Sequence, residues 1–549
     1  MYVNGRPITG PFIFLDELEY FSYARDVFQH ADLSRHTQFG PLYPGIASVF
    51  FFLGDVGRVY EALRIFNVVV FVSSAVPAFL LARDLFPGDR HMWLWFPALV
   101  VTAPFSGFVY LVWAEPLYFT LFVWTVWCLF RLYLDPGPAL GCLSGTLLAL
   151  LFHGKPGAGL IIAIAAYGSM LWFFLAARRA GKHRLLLPLW LSLTFWLLLT
   201  LPWIIRNVAL GVGIIGYSGG SADLASRVRE LGGFQIATEI GSSVFYQLSY
   251  VFIGTWGLIA VLIVMPVARW QRWGTEIRAI ALFVILCVIG LVVLSAVGVT
   301  AYRGLGYWYP NGRYHAVLFA VAMLMGIRFL ISHPAPGPHE RRLLYVTAGS
   351  LGIAAVLATP LHAMHPPSFV NNAELALVTL LIDRGRIVWR GMYEPSLSQT
   401  IAFAAAFAVS SMIFTFTSKR PAAMRLLVWL LLLANMAVSA AEQQFVTRIG
   451  FSQAGLNDAV RFLRREVPDI SHRVMFDEQL ANGNTEWMLT FWTGMTDKLR
   501  YVNVADIAGP AAVQSSAEFL ISRQTLPLPV AYSSPGIFAY RLSGARPGN

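Results

Sequence analysis

The chain has 549 residues, 57% of them hydrophobic and only 13% charged. Soluble domains carry about 25% charged residues, so a water-soluble globule of this length is excluded and long apolar runs must sit in lipid. The formal net charge of +11 brings nucleic acid and anionic lipid into view as partners, and its distribution along the chain decides between them.

The first 60 residues are polar and hold an acidic segment. Asp16, Glu17 and Glu19 fall within one helical turn, ahead of Tyr20, Tyr23, Arg25 and Asp26. Carboxylates in this position read two ways. They can cap a helix, whose N-terminal dipole favours negative charge. At the outer interface of a membrane enzyme, one of them can instead deprotonate an acceptor hydroxyl as general base. Pro41, Leu42, Tyr43, Pro44 and Gly45 close the segment, and the apolar stretch Leu42 to Leu53 is too short to span. It reads as an interfacial or re-entrant helix.

A spanning helix needs about 20 mostly apolar residues. Runs of that kind occupy 61–82, 93–112, 116–134, 157–176, 185–204, 243–268, 279–299, 315–332, 343–361, 399–417 and 426–441, with a shorter run at 139–153. The expectation is an α-helical polytopic membrane protein of about 12 spans. Basic residues gather in alternate gaps: Arg178, Arg179, Lys182 and Arg184; Arg269, Arg272 and Arg278; Arg341 and Arg342; Lys419, Arg420 and Arg425. The positive-inside rule makes these gaps cytoplasmic. The charge is therefore topological, with contact to membrane lipid headgroups as its consequence. No nucleic acid partner is expected. Cys128, Cys142 and Cys287 all lie in apolar runs, so no disulfide or metal framework is visible.

With the basic gaps inside, the stretches 1–60, 205–242, 300–314 and 362–398 fall outside, together with the tail from 442. Several outer positions carry polar groups. Glu115, followed by Pro116, starts a span; it is either a helix cap or an ionisable group held at the membrane for function. His153, Gly154, Lys155 and Pro156 interrupt two runs. Pro202, Trp203, Arg206 and Asn207 end a span, where Trp anchors and Arg snorkels. Tyr302 and Arg303, then Trp308, Tyr309, Pro310, Asn311, Gly312, Arg313, Tyr314 and His315, form a further outer loop. Arginine suits phosphate because its planar fork donates two hydrogen bonds at once. Arg384, Arg386 and Arg390 suit either an anionic acceptor or a solvated face.

The tail has ordinary charge. Leu456, Val460, Leu463 and Val467 recur at helical spacing with Asn457 as a cap, and strand-like runs occur at Val474–Phe476, Tyr501–Val504, Phe519–Ser522 and Ile537–Leu542. A helix-like stretch lies between the first two, from Glu486 to Trp492. The expected organisation is an external loop with interfacial helices (1–60), a multi-span domain (61–441) and a small extracytoplasmic α/β domain (442–549).

Asp16 with Glu17, then Tyr20 and Arg25, then Pro41 with Leu42, resemble the first external loop of GT-C glycosyltransferases. The likeness is to the branch holding the lipid A aminoarabinose transferases and protein O-mannosyltransferases. Gly54 and Arg64 fit the same rhythm, and the plan of many spans, outer loops and an α/β tail is similar throughout. The resemblance implies an inner-membrane enzyme that moves a sugar from a polyprenyl-phosphate carrier to an extracytoplasmic acceptor hydroxyl of a glycan, lipid or protein. Inversion at the anomeric carbon is implied with it. Asp16 would then be the general base, with Glu17 and Glu115 arranging acceptor or sugar. Arg313, with Arg206, Lys155 and His315, would hold the donor phosphate, and Tyr20 and Tyr309 would bind substrate. No cofactor is expected; the carboxylates leave a divalent metal compatible.

The sequence departs from the family pattern at one point. No apolar helix precedes the Asp-Glu loop, whereas the family has one, so the expectation is that the gene encodes a further helix upstream of Met1. A transporter or flippase of lipid-linked sugars is the alternative reading. It should carry its ionisable groups within the spans, whereas here they gather at outer junctions. A non-catalytic scaffold would need no clustered acid and arginine sites.

Overall fold

The computed structural model describes residues 15–31, 33–34, 36, 39–103, 109–179, 186–214, 229, 232–268, 270–303, 312–331, 337–357, 421–466, 473–480, 500–503, 518–522, 524–534 and 537–542. The acidic segment forms helix α1 (Leu15–Phe28), with Asp16 and Glu17 in its first turn. Helix α2 (Leu42–Ser48) runs into a 3-10 turn, Val49–Leu53. Together they make the short apolar element read from Leu42 to Leu53. Val49 and Phe52 are exposed on it while Tyr43 and Ala47 are buried, the two-faced pattern of a helix lying at an interface.

Six helices among the described residues are long and apolar enough to cross a membrane. The first, Val56–Leu85, is built from α3 (Val56–Ser73) and α4 (Ala75–Leu85). Asp55 caps it by accepting from the Arg58 amide. The others are α6 (Glu115–Leu134), α8 (Pro156–Arg179), α9 (Leu186–Ala209), α12 (Thr275–Arg303) and α13 (Gly312–Ile331). Helix α5 (Arg90–Val101) precedes α6, and α7 (Pro138–Gly154) lies between α6 and α8. Helix α9 packs on α7, where Ser144 donates to Ser192 across a buried seam at 3.0 Å. Most of its remaining surface is apolar and exposed, including Trp190, Leu198, Leu201 and Ile205, which is the lipid-facing state of a peripheral span.

The structure redraws three expected segments. The run 93–112 is not one helix: α5 ends at Val101, where Thr102 turns its hydroxyl back onto the Ala98 carbonyl, and Val109 and Tyr110 form a separate short turn. The run 243–268 is two helices, α10 (Gly233–Gly254) and α11 (Leu258–Ala268). Between them Trp256 and Gly257 take positive φ of 51° and 74°, a conformation that no helix continues through. Finally, Asn457 does not cap a separate tail helix. After α14 (Pro338–Leu357), helix α15 runs unbroken from Pro421 to Glu466, 46 residues, and carries Asn457 inside it. The boundary expected at 442 therefore falls within a helix.

Helix α15 ties the bundle to the tail. Near its start, Trp95 of α5 donates to the Val428 carbonyl at 2.6 Å. Near its end, Phe462 stacks on Tyr532 at 4.9 Å and meets Phe519 at 6.4 Å. The tail sheet has the order β2-β1-β3-β5-β4, from β1 (Val474–Asp477), β2 (Arg500–Val502), β3 (Phe519–Ser522), β4 (Val530–Ser534) and β5 (Ile537–Arg541). β1 pairs in parallel with β2 and β3, whereas β5 pairs antiparallel with β3 and β4. Strand β4 was not expected from the sequence. The stretch Glu486 to Trp492, the run 399–417 and Arg384, Arg386 and Arg390 lie outside the described residues.

Candidate active site at one end of the bundle

Helix α1 presents its first-turn carboxylates differently. Asp16 is partly exposed. Glu17 is fully buried, and its Oε1 accepts from the Tyr60 hydroxyl of α3 and from the Val112 amide, both at 2.9 Å. A carboxylate bonded to two other segments cannot serve only as a cap for its own helix. It ties α1 to α3 and to the strip entering α6. On α3, Arg64 is also buried; it donates to Glu61 at 3.2 Å and sits 5.8 Å over the Tyr60 ring.

Glu115 opens α6. The cap position is Ala114, which makes no side-chain cap bond, and the Glu115 carboxylate turns instead to Lys155. The ammonium donates to Glu115 Oε1 at 2.5 Å, with both side chains buried. Lys155 lies between α7 and α8 with an extended backbone, φ −146° and ψ 93°. Pro156 explains this, because the residue before proline is pushed out of the helical region. The break thereby turns the Lys155 side chain off the helix axis toward Glu115. The ammonium also sits 4.7 Å from the Tyr314 ring centroid, at the start of α13, a cation–π distance.

The first loop reaches this pair through Gly40. A Cβ on Gly40 would collide with the His153 carbonyl and stand 3.0 Å from the Gly154 carbonyl, so only glycine lets the loop lie this close to the end of α7. The following α2 carries the buried Tyr43. Burial raises the Tyr43 phenol above the ordinary tyrosine range; the Asn67 side chain opposes this, and the charges of Glu17 and Glu115 add to it. Asn67 is held by its own bond to the Leu111 carbonyl at 2.6 Å. Buried carboxylates from α1 and α6 are thus each held by fixed partners, that of α6 by an ammonium.

The other expected residues divide. Tyr20 is 4% exposed, and its ring meets Phe39 at 4.8 Å and Tyr43 at 5.5 Å. It shapes the loop from within an aromatic cluster and does not line an open surface. Arg206 donates to the Leu33 carbonyl at 2.6 Å and covers the Trp203 ring at 4.3 Å, so it clamps the loop after α1 to the end of α9. His315 is fully buried, and its Nε2 lies 2.8 Å from Gln247 Oε1 on α10. This ties α13 to α10 and gives His315 a packing role. Arg313 is the second residue of α13, one position from Tyr314; its side chain, and Tyr309 altogether, lie outside the described residues.

One group escaped the sequence reading. His36 is buried, stacks on Tyr23 at 4.6 Å, and pairs with Asp26 at 2.7 Å and Glu19 at 3.7 Å. Burial pushes the Tyr23 phenol up to about 12, with Arg206 nearby opposing it. A histidine ten positions beyond an aspartate, across an irregular loop, leaves no periodic trace in a sequence. Among the described residues, no three His, Cys, Asp or Glu side chains come together as a metal site.

Fold and site together define a polytopic, mainly helical membrane protein with a buried acid–ammonium cluster at one end of its bundle and a small α/β tail. Neither a protein-family model nor a curated protein sequence matches the chain. Its structure is similar to two crystal structures of ArnT from Cupriavidus metallidurans, one in the apo state and one bound to undecaprenyl phosphate. Identity is 14% in both cases. Each comparison covers 99% of this chain and 97% or 96% of ArnT, with TM-scores of 0.49 and 0.47.

Proposed function

We propose that the chain is a GT-C-type glycosyltransferase that moves a sugar from a polyprenyl-phosphate carrier to an acceptor hydroxyl at the extracytoplasmic face. The observation carrying this reading is the buried Glu115–Lys155 pair, with α1 fixed through Glu17 to Tyr60 and Val112. In that arrangement Asp16 is the accessible carboxylate and takes the acceptor proton. The acceptor oxygen attacks the anomeric carbon as the bond to the carrier phosphate breaks, and the phosphate leaves with the electron pair. Glu17, fixed by two hydrogen bonds, holds α1 in place. Lys155 and Arg313, at neighbouring helix starts, supply positive charge for the departing phosphate, and a bidentate arginine contact of that kind suits it. Nucleotide sugars are absent outside the cytosol, so a lipid carrier supplies both sugar and leaving group.

The test is transfer by the purified full-length protein from a panel of polyprenyl-phosphate sugars, with products read by mass spectrometry. Transfer that falls about 10²–10⁴-fold in Asp16→Asn and about 10- to 100-fold in Arg313→Lys supports the reading. Movement of the intact lipid-linked sugar across proteoliposome membranes, with no sugar transferred, would replace it by the flippase alternative.

A further inference from the structure

The end of the bundle away from Glu115 gathers charge that the proposed reaction does not use. Helix α6 starts at Glu115 and carries Arg131 in its last turn, about 24 Å further along the axis at the usual helical rise. There Arg131 lies 3.9 Å from Asp84 of α4, and Arg83 lies 3.5 Å from the same carboxylate. Asp89, just before α5, lies 3.9 Å from Arg425 of α15. Arg90 opens α5, and Arg328 of α13 covers the Phe86 ring at 5.3 Å. Five helices thus each bring one arginine to the turn between α4 and α5.

The aspartates do not consume these arginines. A direct charge-assisted bond runs at about 2.7–2.9 Å, and each arginine–aspartate contact here is longer. The shorter bonds go elsewhere: Trp127 Nε1 donates to Asp84 Oδ2 at 3.2 Å, and the His91 amide donates to Asp89 Oδ1 at 3.1 Å as the cap of α5. Against the five arginines stand Asp84, Asp89 and, at the end of α6, Asp135, which leaves two positive charges in surplus. The Arg83, Arg131 and Arg425 side chains are 46%, 36% and 54% exposed, and Arg90 is exposed as well, so their donors are open to the surroundings. Apolar surface follows directly. One turn beyond Arg90 on α5 comes the exposed Leu94; one turn beyond Arg425 on α15 comes Trp429, with Leu426 and Leu430 exposed beside it. The Trp95 bond to the Val428 carbonyl sets α5 and α15 against each other.

We infer that this corner is a binding site for an anionic phospholipid, with its phosphate on the arginines around the α4–α5 turn and its acyl chains along α5 and α15. A guanidinium fork donates two bonds at once to phosphate oxygens, and basic recesses between helix ends hold acidic headgroups. An acidic protein would match the charge alone. The apolar rows that run on from Arg90 and Arg425 match a lipid. The site lies at the far end of α6 from the Glu115–Lys155 pair and does not depend on the transfer reaction.

The test titrates the full-length protein in detergent with dioleoyl phosphatidylglycerol or dioleoyl phosphatidylethanolamine and reads bound lipid by native mass spectrometry. Phosphatidylglycerol should bind the more tightly, and the double variant Arg83→Gln with Arg425→Gln should weaken it about tenfold or more. The double variant Arg178→Gln with Arg179→Gln removes an equal charge from the exposed end of α8 and should bind like wild type. Glycerol 3-phosphate, the soluble headgroup fragment, should not displace the lipid. Melting temperatures equal to wild type certify the fold of each variant. If the first double variant melts early, Arg83→Lys with Arg425→Lys supplies the second arm: it keeps the charge, loses the forks, and should bind phosphatidylglycerol less tightly than wild type. Wild-type binding in that arm would overturn the inference. So would equal binding of the two lipids, an equal loss in both glutamine double variants, or displacement by glycerol 3-phosphate.

Discussion

Lys155 and Glu115 meet at 2.5 Å, both buried, where α6 begins and α7 gives way to α8. Removing either one takes the ion-pair partner away from a buried charge, which typically costs about 3–5 kcal/mol. Lys155→Met and Glu115→Gln should each lower the melting temperature of the detergent-solubilised protein clearly. The double variant should recover much of that loss, since neutral groups of similar volume pack without the desolvation penalty. Activity should not return with stability if the pair takes part in transfer. A double variant with full turnover would confine Glu115 and Lys155 to architecture.

Gly40 offers a purely steric prediction. The atoms a Cβ would meet belong to the backbone at His153 and Gly154, and backbone cannot swing aside as a flexible side chain can. Gly40→Ala should lift the loop off the end of α7 and cost about 1–3 kcal/mol. Gly45→Ala is the matched control, because nothing lies within 4 Å of its Cβ position and it sits inside α2. That substitution should be neutral or stabilise by about 0.4–1 kcal/mol. Equal melting temperatures for the two variants would show that the approach of the loop is not close in solution.

The parts of this architecture written in local pattern were legible in the sequence, and those written in contact were not. The span at Glu115–Leu134 announces itself by hydrophobicity alone, and the short element at Leu42 by its length. The continuity of α15 is not legible. Gln443, Gln444 and Gly450 interrupt the apolar run without breaking the backbone hydrogen bonds, and a change of surroundings from lipid to water looks like a domain boundary. Strand β4 hides behind Pro527 and Pro529, which read as loop. Acidic residues in α1 draw attention by composition, but only the fold reveals that Glu17 is sequestered by Tyr60 and Val112 while Asp16 remains accessible. The same holds for His36, whose partners are set by loop closure.

The tail's side of the membrane can be predicted from contacts as well as from loop charge. Arg461, near the end of α15, lies against the start of α3: a Cβ on Gly57 would stand 3.2 Å from its Nη2. Since Tyr60 near the start of α3 donates to Glu17 of α1, the tail and the acidic cluster share one end of the bundle. The alternation of basic gaps predicts that this end is extracytoplasmic. A fluorescent reporter that folds only in the cytosol, fused after Asn549, should stay dark, and a phosphatase that works only outside should be active. The reverse pair of signals would invert the topology and remove the donor argument with it.

Asp16 and Glu17 are adjacent, yet their surroundings predict opposite consequences. A hydroxyl acceptor is a weak nucleophile near neutral pH, and a positioned base contributes about 10²–10⁴-fold. Asp16→Asn keeps size and much of the hydrogen bonding at a partly exposed position. Transfer should therefore fall by that factor, with the melting temperature and donor binding little changed. Glu17→Gln replaces a buried acceptor of two hydrogen bonds by an amide that can still accept at one oxygen but lacks the charge. Its main effect should be on stability, by about 1–3 kcal/mol, with a smaller loss of turnover that follows from displacement of α1. Turnover and melting temperature measured on both variants separate the roles. If Glu17→Gln abolishes transfer at unchanged stability while Asp16→Asn stays active, the base is Glu17, and the Tyr60 hydroxyl bonded to it becomes part of the proton path. If both variants turn over like wild type, the acidic turn of α1 serves only to fix the helix, and the transferase reading loses its general base.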